Sequence, residues 1–221
     1  MMKNEMLFIW IFLAGFGVIL YVGYLMDKKR REGMMRVARL LGLSYSPGAD
    51  NDLLGRFSLF QLGTRGHSQS MRNVLRGNYQ GLEVGFFDYS YTTGSGKHRH
   101  TTHQSVAFLP QADSGVLPDF TLRPENVFDK VATAFGCVDI NFPQDEAFSR
   151  AYRLHGRDQA AVCGSFDEAV RGFLVRNPQL CVERAAPGLI VYRSGVRLEP
   201  ETLRVFLDRS LELFSLLTAR R

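Results

Sequence analysis

A histidine-rich segment is the first place in the sequence where chemistry could occur. His98, His100 and His103 lie within six residues of one another. On a β-strand the side chains of His98 and His100 would point to the same face, a geometry that zinc or copper could use. His103 is an odd number of residues from both, so on the same strand its side chain would point to the other face. It would need a bulge or turn to join them. The segment therefore suggests a metal site, or an enzyme or metal-responsive protein built around residues 98–103.

The same segment also has a simpler interpretation. It follows Thr93–Lys97, a glycine-rich turn at whose tip polar side chains are often exposed to solvent. The positive charges of Lys97 and Arg99 oppose the binding of a cation. Both interpretations, a metal site and a solvated hairpin tip, remain open at this level.

Asp88 is the most unusual carboxylate in the sequence, because it lies among aromatic residues in Leu82–Tyr91. A carboxylate on a buried strand needs either a partner or a raised pKa. The ordinary expectation is a hydrogen bond to the backbone or to an arginine such as Arg76. Tyr89 and Tyr91 are expected to be core or rim aromatics.

No familiar catalytic template is present. The sequence lacks a phosphate-binding G-x-x-x-x-G-K-[ST] loop, a G-x-S-x-G nucleophile elbow, an H-E-x-x-H zinc motif and a C-x-x-C pair. Cys137, Cys163 and Cys181 are isolated, which favours reduced structural cysteines over a disulfide framework. The sequence therefore predicts no catalytic residue and no cofactor.

A long β-hairpin must position the histidines and Asp88. Leu82–Tyr91 is the strongest predicted strand, and His98–Leu109 is its predicted partner. A second hairpin is predicted around Ala186–Gly188, and Pro200 begins a last helix with a wide apolar stripe. Further elements are predicted as follows: strands over 56–62, 138–142 and 148–154, and helices over 36–43, from Pro124 to Gly136, and after a capping box of Ser165 and Glu168. This order predicts an α+β fold, with mainly antiparallel strands packed against two or three helices.

The amino-terminal region has a different character. Met6–Met26 contains 21 residues without a formal charge, enough for a helix to cross a hydrocarbon core about 30 Å thick. We therefore predict a transmembrane helix, with a short extracytoplasmic tail over 1–5. A cleaved signal peptide is disfavoured because the apolar run is long and its exit is basic and bulky. Residues 27–52 are predicted to form a basic collar, a short helix and a hinge, and residues 53–221 a cytoplasmic domain.

Most of the net charge of +5 lies in this collar. Between Asp27 and Arg39 there are six basic and two acidic residues. The predicted membrane-surface residues are Lys28, Lys29, Arg30, Arg31, Arg36 and Arg39. Basic residues beside a span stay on the cytoplasmic side, which places the amino terminus outside and the domain in the cytoplasm. The remaining domain is close to neutral, which argues against nucleic-acid binding.

Several short motifs carry a resemblance over nearly the whole predicted domain. They are N-V-L-R-G, G-L-E-V-G-F-F-D-Y-S-Y, L-P-D-F-T-L-R-P-E, D-I-N-F, F-S-R-A-Y-R-L-H-G and L-E-P-E-T-L. In this order, behind an amino-terminal apolar segment, they resemble bacterial single-pass membrane-anchored proteins of unknown function. The resemblance implies a bacterial inner-membrane setting and supplies neither an activity nor site residues.

The function predicted from the sequence is a membrane-tethered cytoplasmic module that binds or scaffolds an unidentified protein partner. The amino-terminal helix would bind the lipid bilayer and concentrate the domain there. The alternative is the enzyme or metal-responsive protein that uses residues 98–103.

Overall fold

The computed structural model describes residues 2–110, 117–125 and 138–219. Nine strands and six α-helices lie in these parts of the chain. Their bounds are α1 Met2–Leu41, β1 Ser44–Ser46, α2 Asn51–Phe57, β2 His67–Tyr79, β3 Leu82–Thr93, β4 His100–Pro110, β5 Phe120–Pro124, β6 Val138–Ile140, α3 Glu146–Ala151, β7 Tyr152–Gly156, α4 Gln159–Ser165, α5 Glu168–Arg176, β8 Cys181–Ala185, β9 Gly188–Tyr192 and α6 Pro200–Thr218. The fold is therefore α+β, as the sequence predicts.

All nine strands form one antiparallel sheet in the order β1-β2-β3-β4-β9-β8-β5-β7-β6. The predicted long hairpin is confirmed as β3 and β4, which pair from Gly85 with Phe108 to Thr93 with His100. The second predicted hairpin is confirmed as β8 and β9.

The sheet has two covered faces, since successive side chains of a strand point to opposite sides. The front face carries Phe86 and is covered by α6, where Phe206 meets Phe86 with ring centroids 6.4 Å apart. The back face carries Phe87 and is covered by α2, where Phe57 lies 5.0 Å from the Phe87 ring. All four of these rings are buried. Phe86 and Phe87 are consecutive, so their side chains lie on opposite faces of β3, and both are buried. Strand β3 is therefore buried on both sides.

Helix α1 is one continuous helix of 40 residues, and its carboxy-terminal half belongs to the domain. Met34 and Ala38 are 0% and 2% exposed and pack into the larger core on the front face. Gly42 ends the helix at φ 69°, and the Leu43 N–H then bonds to the Ala38 carbonyl at 2.8 Å. This conformation favours glycine because a side chain would strain it. The short helix predicted over 36–43 is therefore the end of α1.

The prediction of a transmembrane helix over 6–26 is contradicted. Among the described residues, no helix is long and apolar enough to cross a membrane. The prediction treated the uncharged run as a separate element, whereas the charged residues from Asp27 onward continue the same helix. The helix continues without a break past Met26, so the backbone does not separate the predicted span from the predicted collar.

The predicted hinge and the strand predicted over 56–62 also differ from the structure. Ser44–Ser46 pairs with β2 as part of the sheet, and the next residues lead into α2. Asp50 begins α2 by accepting a hydrogen bond from the Leu53 N–H at 3.0 Å. Leu53 and Phe57, four residues apart, then face the back of the sheet. The apolar spacing that suggested a strand therefore belongs to a helix followed by turns.

Similar corrections apply in the second half of the chain. Asp145 caps α3 where a strand over 148–154 was predicted, and only its end forms β7. Asp167, not Ser165, caps α5 by accepting a bond from the Val170 N–H at 2.8 Å. Pro124 ends β5, and the helix predicted to begin there falls on residues 126–136, outside the described residues. The last helix is confirmed as α6.

Candidate binding cavity between the first helix and the sheet

The front face of β2, β3 and β4 changes from apolar to polar along the strands. Beyond Phe86, the next front-face residue on β3 is Asp88, which pairs across the strands with Arg72 and Ser105. The following cross-strand row consists of Ser70, Ser90 and His103. Apolar helix residues cannot cover such a surface favourably, so α1 meets it with polar side chains.

Asp88 is the centre of the polar contacts and is 7% exposed. Arg30 of α1 binds it through two bonds, from Nε to Oδ2 at 2.7 Å and from Nη2 to Oδ1 at 2.6 Å. The Ser105 hydroxyl donates to Oδ1 at 2.9 Å, and Arg197 approaches Oδ2 through Nε at 3.3 Å. A two-pronged arginine–carboxylate contact of this kind fixes orientation as well as charge.

A bulge in β2 supplies another donor to Asp88. The register between β2 and β3 shifts between Arg72 and Leu75, and Asn73 adopts φ 52° there. The Asn73 amide donates to Asp88 Oδ2 at 2.9 Å and accepts from the Tyr45 hydroxyl at 2.8 Å. The bulge thus redirects a side chain toward the carboxylate, which is a common role for such irregularities.

These contacts decide the ionisation of Asp88. Burial by itself raises the pKa of Asp88, but the hydrogen bonds and charge of Arg30, followed by the charge of Arg197 and the Asn73 amide, outweigh it and hold the pKa below its usual range. Asp88 is therefore a carboxylate at neutral pH with its oxygens already bonded. A general base needs a pKa near the working pH, so this arrangement is structural and electrostatic.

The partner of Asp88 differs from the predicted one. Arg76 instead contacts Asp50, Asp52 and Glu83, at 3.3, 2.8 and 3.0 Å. Arg30, which was predicted to lie at a membrane surface, has a side chain only 10% exposed. The other five predicted membrane-surface residues are exposed: Lys28, Lys29, Arg31, Arg36 and Arg39.

A cavity of about 680 Å³ lies beside this cluster, between α1 and the polar part of the sheet. Tyr24, Asp27 and Arg31 line it from one face of α1, since they are spaced three and four residues apart. The β1–α2 loop closes another side at Pro47–Ala49, and Arg197 borders it from the loop after β9. From the sheet the cavity is lined by Ser70, Met71, Arg72, Asn73, Asp88, Tyr89, Ser90, His103 and Gln104.

The three histidines of the metal hypothesis are not brought together as predicted. His98 lies in a 3-10 turn, Gly96–His98, and only His100 and His103 belong to β4. All three are exposed, and His103 lines the cavity. Within the described ranges, no group of three His, Cys, Asp or Glu side chains could hold a metal ion. Of the cysteines, Cys181 is buried and Cys163 half-buried, while Cys137 lies outside the described residues.

A second buried carboxylate cluster was missed at the sequence level. Glu183 on β8 is 2% exposed and accepts hydrogen bonds from the Leu62 N–H at 3.1 Å and the Tyr192 hydroxyl at 2.9 Å. Arg123 on β5 completes the cluster at 3.3 Å. A charged residue inside an apolar strand was the available signal, since such groups are rarely buried without partners.

Comparison with known proteins found a solved structure of similar fold. No protein-family model matches the chain. No curated protein matches it either. Among solved structures, the crystal structure of the mycobacterial trehalose monomycolate transport factor A, TtfA, is similar, with a TM-score of 0.61 and 14% sequence identity. The match covers 87% of this chain and 93% of that one. At this identity the likeness shows a shared fold.

Proposed function

We propose that this protein is a membrane-associated binding module. The exposed apolar half of α1 associates with lipid, and the α+β domain binds or scaffolds a partner beside the membrane surface. The observation that carries the proposal is the exposure of α1 between Trp10 and Met26.

Twelve large apolar or aromatic side chains of this segment are between 43% and 74% exposed. They include five consecutive residues, 18–22, which together cover the whole circumference of a helix with 3.6 residues per turn. So large an exposed apolar area is more stable against an apolar phase than against water. A lipid surface beside the domain supplies such a phase.

The basic residues that follow the segment also favour association with lipid. Lys28, Lys29 and Arg31 are exposed immediately after it, and Arg36 and Arg39 further along the helix. Near an anionic lipid surface each such residue contributes about 1 kcal/mol of attraction. These charges support the anionic cytoplasmic leaflet as the proposed surface, with the domain on the cytoplasmic side.

The domain would be held in a defined orientation relative to the lipid. Arg30 joins α1 to Asp88 on the sheet, and Met34 and Ala38 pack into the core. Because the same helix continues into the apolar segment, the cavity stays beside the lipid-associated part of α1.

The name of the structural neighbour connects that protein with the transport of trehalose monomycolate. Such a role is compatible with a domain of this fold that binds rather than catalyses. No contact among the described histidines favours the enzyme or metal-responsive alternative.

Vesicle flotation of the full chain tests the lipid association. Replacing Phe16, Ile19 and Leu20 together by glutamate removes apolar area and adds charge, at a cost of roughly 2–3 kcal/mol per position. The variant is expected to lose more than about 100-fold in partitioning to vesicles of phosphatidylcholine and phosphatidylglycerol. Flotation against a density gradient measures the bound fraction.

The matched control carries the same three changes at exposed apolar positions of the domain and the end of α1. Leu40, Leu59 and Val205 are 78%, 65% and 52% exposed, and their replacement by glutamate is expected to leave flotation unchanged. Wild-type protein that stays at the bottom of the gradient, or equal losses in both variants, would contradict the proposal.

A further inference from the structure

The cavity beside α1 has an excess of positive charge that the fold itself does not use. Three arginines, Arg31, Arg72 and Arg197, line it, together with the two carboxylates of Asp27 and Asp88. Asp88 is already bound by Arg30 at 2.7 and 2.6 Å. The remaining arginines therefore face the cavity with little compensation.

The guanidinium groups of the cavity have donors to spare. Among the described residues, neither Arg31 nor Arg72 has a hydrogen bond or an ion pair within 4 Å. Arg197 uses only Nε in its contact with Asp88, and its side chain is 37% exposed. Each guanidinium presents five N–H donors in a planar fork that fits an oxyanion.

The neighbouring neutral groups suit the same ligand. Ser70 and Ser90 line the cavity from adjacent strands, and His103 stands next to Ser90 in the same cross-strand row. Hydroxyl and imidazole groups donate hydrogen bonds to phosphate oxygens without adding a fixed negative charge. Asp27 is the one carboxylate in the lining that has no ion pair with a described residue.

We propose that this cavity binds a phosphate ester, held by the guanidinium groups of Arg31, Arg72 and Arg197. Its volume of about 680 Å³ is that of a site for a small molecule or a lipid headgroup. The arginines attract a phosphate whether or not α1 binds lipid. If the proposed function holds, headgroups would also lie at this level, because Tyr24 lines the cavity from the last turn of the apolar segment.

Two sources of the phosphate ester are distinguished by titrating the full chain in a neutral detergent. One arm uses glycerol 3-phosphate, and the other uses a short-chain phosphatidylglycerol below its micellar concentration. Glycerate, which carries a carboxylate in place of the phosphate, tests the ligand class. Isothermal titration calorimetry measures Kd in each arm.

Arg72→Gln and Arg31→Gln are expected to raise Kd at least about ten-fold each, because each removes a charged two-pronged contact. Both side chains are exposed and make no hydrogen bond or ion pair with a described residue, so the fold should tolerate the changes. Arg209→Gln, at an exposed position of α6 outside the cavity lining, is the matched control and is expected to change Kd less than about two-fold.

Each outcome decides the proposal. Arginine-dependent binding of glycerol 3-phosphate supports it and identifies a soluble ester as sufficient, while arginine-dependent binding of the phospholipid alone supports it and identifies a headgroup. No binding in either arm, equal binding of glycerate, or an equal loss in Arg209→Gln overturns it. Vesicle flotation of Arg72→Gln is expected to persist, so failure of the cavity proposal is distinct from failure of lipid association.

Discussion

Two buried carboxylates, Asp88 and Glu183, are stabilised by contacts of different range. Asp88 is held chiefly by Arg30, 58 positions away on α1, and by groups from β2, β4 and the loop before α6. Glu183 is held by Arg123 and Tyr192 from strands on either side of its own, and by the backbone at Leu62. The first cluster joins a helix to the sheet, whereas the second lies within the sheet and the turn that covers it.

Their surroundings differ as well. Asp88 borders the cavity of about 680 Å³, where Arg31 and Arg72 make no hydrogen bond or ion pair with a described residue. The cavity of about 330 Å³ beside Glu183 is bordered by Arg184, which lies 3.6 Å from Asp119. A buried carboxylate by itself therefore does not mark a binding site in this fold. The feature that suggests a binding site is the presence of arginines that have no carboxylate partner once the buried ion pair has formed.

The largest expected effect comes from Arg30→Met. The substitution leaves Asp88 buried with only Arg197 as a charged partner, and breaking a buried pair in this way costs roughly 3 kcal/mol of unfolding free energy. Denaturant unfolding of the full chain in neutral detergent measures the loss. Arg39→Met, at an exposed position of the same helix, is the control and should change stability by less than about 0.5 kcal/mol. Equal stability of the two variants would show that Asp88 does not need α1.

A smaller loss is expected for Glu183→Gln, about 2 kcal/mol. The amide oxygen replaces one of the two acceptors used by the Leu62 N–H and the Tyr192 hydroxyl, and that hydroxyl can instead accept from the amide N–H. Arg123 keeps its 3.3 Å contact with Gln61 after the carboxylate is lost. The same unfolding measurement applies, with Glu199→Gln as an exposed control. A loss larger than that of Arg30→Met would reverse the comparison between the clusters.

The smallest effect is a difference in acid sensitivity. The pKa of Asp88 is lower in the folded protein, where the bonds and charge of Arg30 outweigh burial, than in the unfolded chain. Its contribution to stability is therefore complete above the unfolded pKa of about 3.9 and is lost as pH falls through the folded pKa. The stability difference between wild type and Asp88→Asn is expected to shrink as pH falls from 6 to about 3.

Unfolding curves of both proteins across that pH range measure this difference. Asp50 and Asp145, whose pKa values are also lowered by their hydrogen bonds, contribute equally to both proteins. A difference that stays constant with pH would show that the pKa of Asp88 is not depressed by folding.

Much of the sheet could be predicted because its signals are local. The β3–β4 hairpin has strand-forming runs around a glycine-rich turn, and α6 has Pro200 at its start and an apolar stripe. The strand predicted over 56–62 was wrong because a short apolar run fits a strand or a helix equally well. The helix α2 forms here because Asp50 caps its first turn and Phe57 packs against Phe87.

The candidate site could be predicted only in part. Asp88 was recognised as a carboxylate that needs a partner, but Arg76, nearby in sequence, was preferred to Arg30. Arg30 was counted with its neighbours as a surface charge, although helical spacing with Met34 and Ala38 places all three on the packed face. Which arginine reaches a buried carboxylate depends on how α1 crosses the sheet, and no local pattern records that crossing.

By itself, the sequence determined the antiparallel hairpins, the last helix and the separation of an apolar amino-terminal segment from a nearly neutral domain. These features follow from residue periodicity and turn chemistry, which act over a few neighbours. Only the tertiary structure decided that α1 is one helix docked on the sheet through Arg30, and that Arg31, Arg72 and Arg197 border one cavity. Those facts depend on contacts between residues tens to more than a hundred positions apart, where packing and charge pairing choose among partners that the sequence presents as equivalent.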